Sequence, residues 1–106
     1  MKITIESPHI ALPANLTNEI ESKISHATKA YGRIISCEII VREDKNDEQK
    51  NCLLEAKLLI PKGFLFAAEK AFTFEEALDK LTGTLKMQLR RHKEKLVETN
   101  QAFNLN

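Results

Sequence analysis

Alternating apolar and polar residues mark four short segments of the chain as β-strands. The alternation has a period of two, which places every second side chain on one face of a sheet. It runs through residues 2–6, 35–42 and 51–60, and a fourth strand over 64–71 follows the turn signal Pro-Lys-Gly. The residues predicted to face the interior from the first three strands are Ile3, Ile5, Cys37, Ile39, Val41, Cys52, Leu54, Ala56, Leu58 and Ile60.

Two other segments carry apolar residues at intervals of three and four, the spacing of one stripe on a helix. The first begins at Pro13 and ends near Gly32, residue types that suit a helix start and a helix end. The second follows Thr73, whose hydroxyl can cap the first turn while Glu76 reaches back, and runs to about Glu98. The two stripes are Leu16, Ile20, Ile24, Ala27 and Tyr31, and then Phe74, Leu78, Leu81, Leu85, Leu89, His92 and Leu96.

The resulting order, β-α-β-β-β-α, predicts an α+β fold. Three consecutive strands with short connections form an antiparallel meander, and a sheet with one apolar face gives both helices a place to bury their stripes. We therefore expect a four-stranded sheet with two helices packed on one face. A chain of 106 residues has room for one such domain, assigned to 1–98, and the aperiodic segment 99–106 is expected to be a disordered tail.

Strand pairing is less well specified by the pattern. If the charged segment after the second strand closes a hairpin in which residue 42 faces residue 51, Cys37 lies opposite Ala56. For the fourth strand, a two-residue turn directs Leu65 and Ala67 inward with Ile60, whereas a three-residue turn directs Phe64 and Phe66 inward. The two-residue turn is preferred.

Composition is that of a soluble globular protein, with 42% apolar and 29% charged residues and a net charge of +1. No apolar run approaches the roughly 20 residues that span a bilayer, and the N-terminus lacks the apolar core of a signal peptide. We expect a cytoplasmic protein with no membrane partner.

Catalytic and metal-binding patterns are not found in the sequence. Cys37 and Cys52 lie in apolar strand patterns, where free thiols behave as small hydrophobic residues, and they are predicted to be core thiols too far apart for a disulfide. The histidines show no metal-ligand spacing, and the three glycines form no phosphate-binding loop. The pair Glu75 and Glu76 complements a helix start. We expect no enzyme activity, cofactor, metal or small-molecule substrate.

Positive charge is concentrated on the second helix. Residues 79–95 contain six Lys or Arg and two acids, a local excess of four in a chain of net charge +1. Such a run is usually a solvated face, but these residues flank the apolar stripe on both sides and outnumber the acids, which favours phosphate contacts. His92 lies on the stripe itself, where capping the core is favoured over a phosphate contact. The predicted RNA-binding residues are Lys23, Lys29, Arg33, Lys86, Arg90, Arg91, Lys93 and Lys95.

The segment "TFEEALDKLTGTLKMQLRRHKEKL" resembles the closing helix of the ribosome hibernation promoting factor and ribosome-associated inhibitor family, also known as sigma-54 modulation proteins. The family pattern ends in Q-L-x-[KR]-x-K-x-K, which the chain matches at Gln88, Leu89, Arg91, Lys93 and Lys95. The segments "LTNEIESKI" and "AYGRI" are similar to the first helix of that family and its exit, and "IPKGFLFAAEKAFTFEEALD" is similar to its third strand, fourth strand and the start of the closing helix.

The resemblance implies a fold similar to double-stranded RNA-binding domains with an added strand. It also implies binding to the small ribosomal subunit and its ribosomal RNA, where messenger and transfer RNA would bind, and inhibition of translation in stress or stationary phase. The chain resembles a short form without the C-terminal dimerisation domain. It departs from the family at Met87, usually basic, and at Thr73 and Glu75, where many relatives carry Asp and Tyr. The alternative is a domain that uses the same face for other structured RNA or for a transcription factor.

Overall fold

The computed structural model describes residues 1–46, 48–49 and 51–104, with side chains described as far as Lys93. Its elements follow the predicted order and confirm the α+β architecture. They are β1 (Lys2–Glu6), α1 (Ala14–Thr28), β2 (Ser36–Glu43), β3 (Cys52–Ile60), β4 (Gly63–Ala71) and α2 (Phe74–Asn104).

The four strands form one mixed sheet in the order β1-β2-β3-β4. β2, β3 and β4 form the predicted antiparallel meander, whereas β1 pairs with β2 in parallel, with Ile3 opposite Cys37 and Ile5 opposite Ile39. A parallel pair needs a long crossover connection, and α1 supplies it between β1 and β2. The parallel edge thus fixes α1 over the sheet.

The β2–β3 hairpin corrects the predicted register. Glu43 faces Cys52, so Cys37 lies opposite Leu58, where Ala56 was predicted. The turn begins at Asp44, because its backbone N–H donates to the Asn51 carbonyl at 2.7 Å and its carboxylate accepts from the Asn46 N–H. An aspartate that bonds its own backbone two residues on favours a turn over a strand. The displacement equals two residues, so every side chain keeps its predicted face.

The turn between β3 and β4 contains two residues, Pro61 and Lys62, with Ile60 paired to Gly63. This is the preferred alternative, and it directs Leu65 and Ala67 toward the core. Phe64 and Phe66 lie on the opposite face of the sheet and are 58% and 52% exposed. Lys62 adopts a left-handed conformation with φ of 70°.

Both helices bury their apolar stripes against the other face of the sheet. The largest fully buried side chains come from all layers, which makes one continuous core; among them are Ile20, Ile24, Ile39, Val41, Leu54, Leu58, Leu78, Leu81, Leu85 and Leu89. Thr28 is buried too, and its hydroxyl donates to the Ile24 carbonyl at 2.8 Å. Burial of this polar group is therefore compensated.

The start of α2 agrees with the prediction, and its end does not. The Thr73 hydroxyl accepts from the Glu76 N–H at 3.2 Å, which is the predicted cap. The helix continues to Asn104, past the predicted end near Glu98, and residues 99–104 contain no Gly or Pro that would stop it. The predicted disorder of 99–106 remains a prediction for the last two residues, which lie outside the described part of the chain. Among the described helices, none is long and apolar enough to cross a membrane.

The two thiols differ in their surroundings. Cys37 is fully buried, and burial together with the nearby Glu38 carboxylate raises its pKa to about 12. Cys52 is the first residue of β3 and is only partly buried, so the prediction of two core thiols holds for Cys37 alone. The pKa of Cys52 is raised by partial burial and by the carboxylates of Glu43, Glu75 and Glu76.

We expect the variant Cys52→Ser, which retains only Cys37, to react with a thiol reagent only after unfolding. The variant Cys37→Ala, which retains Cys52, is expected to react in the native state and faster as pH rises, because the thiolate is the nucleophile. Labelling followed by mass spectrometry, with and without denaturant, measures both rates. Native labelling of Cys37 as fast as that of Cys52 would contradict the assigned burial.

Candidate nucleic-acid interface

The exposed side of α2 carries the predicted cations. Leu85 and Leu89 point into the core, and this orientation turns the intervening side chains outward. Four of the predicted RNA-binding residues are described here and all are exposed, namely Lys86, Arg90, Arg91 and Lys93. The side chain of Lys95 lies outside the described residues.

A second group of cations follows the C-terminal end of α1. Lys29 caps the helix, and Arg33 comes after Gly32, whose φ of 91° lets the chain leave the helix toward β2. Lys29 and Arg33 are exposed and line a shallow cavity of about 510 Å³ beside Met1 and Ile34. Cations here also complement the negative end of the helix dipole, so they have a structural role besides any ligand contact.

Lys23 differs from the other predicted residues because acids already surround it. Its Nζ lies 2.7 Å from Asp79 Oδ1 on α2 and 3.2 Å from Glu19 Oε1 on α1. The hydrogen bond with Asp79, and then the one with Glu19, raise the pKa of Lys23. Sequence spacing does not predict the pair with Asp79, because Asp79 is 56 residues away. Lys23 thus connects the two helices, and its charge is largely balanced.

Polar side chains of α2 follow the free edge of the sheet. Lys80 Nζ donates to the Lys70 carbonyl at 3.2 Å, and Gln88 Nε2 donates to the Phe66 carbonyl at 3.0 Å. Between them the Thr84 hydroxyl donates to Glu69 Oε1 at 2.8 Å. The three donors are spaced four residues apart, which places them on one side of the helix. Lys80 and Gln88 cover carbonyls of β4, and Thr84 binds a side chain of the same strand, at a sheet edge that would otherwise be open to pairing with another strand.

His92 and Arg91 lie where α2 passes the β3–β4 turn. Both residues line a groove of about 410 Å³ with Phe64, Leu65, Phe66 and Gln88. His92 is partly buried beside this apolar edge, consistent with the predicted capping of the core. Arg91, in contrast, is exposed at the rim.

Sequence reasoning missed two exposed lysines near this edge. Lys62 was interpreted only as part of a turn signal, and Lys57 as a polar position of β3. In the structure Lys57 Nζ lies 4.7 Å from the centroid of the Phe64 ring, a cation–π contact on the open face of the sheet. A positive φ at a residue other than glycine has no reliable signature in a single sequence, so Lys62 could not have been identified from the pattern.

Among the side chains that the structure describes, no group of three or more His, Cys, Asp or Glu residues is arranged to hold a metal ion. The features that stand out are exposed cations on α2 and beyond α1.

A sequence model of the family described as "Sigma 54 modulation protein / S30EA ribosomal protein" matches residues 3–97. The chain belongs to this family. Among its relatives, a ribosome hibernation promoting factor of Pseudomonas putida is 26% identical over 95 residues, which cover 90% of this chain and 89% of that protein. Another protein of the same name from Acinetobacter guillouiae is 27% identical over 99 residues, covering 88% of each chain.

Two solved structures share the fold of this family member. A ribosomal subunit interface protein from Coxiella burnetii superposes with a TM-score of 0.75 at 19% identity, covering 89% of this chain and 99% of the other. The N-terminal domain of Protein Y from Thermus thermophilus gives a TM-score of 0.73 at 16% identity, with coverages of 87% and 99%. The fold therefore persists although most side chains differ.

The donor row along β4 leads to a stability prediction for Gln88. We expect Gln88→Ala to lower the free energy of unfolding by about 1 kcal/mol, because it removes a hydrogen bond to a carbonyl at the sheet edge. Met87→Ala is the matched control, since Met and Gln have similar helix propensities and Met87 is exposed. Denaturant unfolding measures both; equal stability of the two variants would show that the Gln88 bond contributes nothing.

Proposed function

We propose that the protein is a ribosome hibernation factor that binds the small ribosomal subunit where messenger and transfer RNA bind. It inhibits translation there under stress or in stationary phase. Family membership and the names of the similar proteins support this function. We expect it in the cytoplasm, where ribosomes are, and we expect it to act by occupying its site without making or breaking a bond.

The observation that carries the proposal is the set of exposed cations on α2. Arg90, Arg91 and Lys93 lie within four residues, and among the described side chains no carboxylate pairs with them. Arg and Lys match phosphate oxygens, and a helix face that neutralises phosphates suits a surface between RNA backbones. Structured RNA is recognised largely through shape and backbone contacts of this kind.

The proposed RNA-binding residues differ in their expected contribution to binding affinity. Arg91, Lys93 and Lys95 match the family pattern and are expected to contribute most, followed by Lys86 and Arg90. Lys29 and Arg33 extend the surface to the exit of α1. Lys23 is expected to contribute least, because a phosphate would have to compete with the carboxylates of Asp79 and Glu19.

The general alternative is a domain that binds other structured RNA or a transcription factor through the same face. Sucrose-gradient co-sedimentation with small subunits, in the presence of excess free structured RNA, separates the two. A hibernation factor remains with the subunits, whereas a general RNA binder is removed by the competitor.

Purified protein is expected to inhibit synthesis of a reporter in a cell-free translation system without added cofactor. The physical reason is competition, since an occupied site excludes messenger and transfer RNA. The control is the same protein after heat unfolding. Undiminished synthesis at several-fold molar excess over ribosomes would contradict the proposed function.

Changing Arg90, Arg91, Lys93 and Lys95 together to Gln is expected to weaken subunit binding and leave folding nearly intact. Exposed sites of this kind change stability by up to about 0.5 kcal/mol each. Each lost phosphate contact removes counterion release and lowers the magnitude of the log-affinity versus log-salt slope by roughly one unit. Subunit affinity at several salt concentrations, measured beside thermal unfolding, gives both quantities.

A charge-matched pair of variants separates local contacts from net charge. Arg91→Gln with Lys93→Gln removes two charges from α2, and Lys2→Gln with Lys45→Gln removes two charges from exposed positions outside the helices. Only the first pair is expected to reduce the salt slope. Equal losses for both pairs would mean that overall charge, and not this helix face, determines binding.

A further inference from the structure

A cavity of about 560 Å³ lies where the exit of α1, the β3–β4 turn and α2 meet. Its size is within the range of roughly 300–1,000 Å³ typical of small-molecule sites. The lining residues with functional side chains are Tyr31, Arg33, Lys62, Phe64, His92 and Lys93. They come from three separate parts of the chain, which only the tertiary fold brings together.

The cavity is positively charged and lined with rings. Arg33, Lys62 and Lys93 contribute cations, and no carboxylate occurs among the described lining residues. No described acid pairs with these three cations elsewhere either. Tyr31 packs against the core at one wall, and His92 is partly buried at another. Cations beside aromatic walls suit a ligand with an anionic group attached to a flat ring.

The choice of lysine at position 62 is a second observation, because a two-residue turn with Pro61 at its first position favours a positive φ at its second, where glycine is the least costly residue. The φ of 70° at Lys62 is a conformation that costs a lysine more than a glycine, and a glycine stands one position later. The side chain is exposed, and no hydrogen bond or ion pair is described for its ammonium group. Strained residues of this type concentrate at ligand sites. Because Lys62 lines the cavity, its side chain can supply a cation there, which glycine cannot.

We propose that this cavity binds one nucleoside monophosphate unit, with its phosphate near Arg33, Lys62 and Lys93 and its base against Tyr31. The inference rests on the proposed function, in which the unit is an unpaired nucleotide of RNA; a free mononucleotide presents the same chemistry.

The neighbouring concavities fit a short single strand better than an isolated nucleotide. The groove that contains Arg91 shares Phe64, Leu65 and His92 with the cavity, and the shallow cavity that contains Lys29 shares Gly32 and Arg33. Each neighbour therefore offers a further cation beside the central cavity. A strand whose middle base enters the cavity would have its flanking phosphates near Arg91 and Lys29.

Tyrosine fluorescence reports directly on this cavity. The chain contains one tyrosine, Tyr31, and no tryptophan, so the emission arises from a single lining residue. Three probes are titrated into the protein with inner-filter correction: adenosine 5′-monophosphate, ribose 5-phosphate and single-stranded hexaadenylate. We expect quenching by the mononucleotide, tighter binding of hexaadenylate, and clearly weaker binding of ribose 5-phosphate, which lacks the base.

Lys62→Gly is the decisive variant, because glycine relieves the strained backbone while the ammonium is lost. We expect its thermal unfolding temperature to be unchanged or higher, and its dissociation constant for hexaadenylate to rise about fivefold. Lys45→Gly is the matched control: it removes the same side chain from the hairpin at the opposite end of β3 and is expected to bind normally.

Three results would overturn the inference: no quenching by adenosine 5′-monophosphate or hexaadenylate, equal affinity for ribose 5-phosphate and the mononucleotide, or unchanged binding by Lys62→Gly. Small-subunit binding is measured on the same samples. If the native protein binds subunits while the cavity fails these tests, the inference is wrong and the proposed function stands. If the cavity binds the nucleotide probes but the native protein does not bind small subunits, the proposed function is wrong instead.

Discussion

Burial of both helices on a single face of the sheet is the constraint on which the rest of the structure depends. The interior side chains of β2 and β3, such as Ile39 and Leu58, meet Ile20 and Leu81 from the two helices in one core. Apolar burial of this kind is the dominant favourable contribution to folding. Because one face takes both helices, the other face of the sheet remains open, and the polar sides of α1 and α2 point to solvent on the same side of the molecule.

This arrangement determines where positive charge can accumulate. The stripe of α2 fixes the rotation of the helix about its axis, and the rotation leaves Lys86, Arg90, Arg91 and Lys93 exposed. Residues in the N-terminal part of α2 have a structural role, since Asp79 forms an ion pair with Lys23 and Lys80 donates a hydrogen bond to a β4 carbonyl. The same helix therefore stabilises the domain along its first turns and farther along presents cations that have no carboxylate partner among the described side chains.

Whether a cation already has a carboxylate partner affects how strongly it can bind a phosphate. A paired lysine adds little to phosphate affinity, because the carboxylates must be displaced first. An exposed arginine without an acid can neutralise a phosphate directly and so release the counterions that are condensed on the RNA. Lys62 is a cation in a turn with a positive φ. The turn keeps this conformation because the strands on either side of it are paired, beginning with Ile60 and Gly63. Membership of the sigma-54 modulation protein family agrees with a function that depends on surface contacts.

The sequence alone determined the order of the elements and the face that each buries except β4, because periodic burial is a local property. The buried face of β4 depended on the length of the preceding turn, which the strand pairing shows. Ile39 and Leu85 could be assigned to the core from their spacing, and a register displaced by two residues left that assignment unchanged. Only the tertiary structure decided which residues become neighbours. The pairing of Lys23 with Asp79 and the meeting of Tyr31, Lys62 and Lys93 at one cavity join distant segments. Periodicity specifies the direction of a side chain relative to its own element, whereas a neighbour across the chain depends on how whole elements pack.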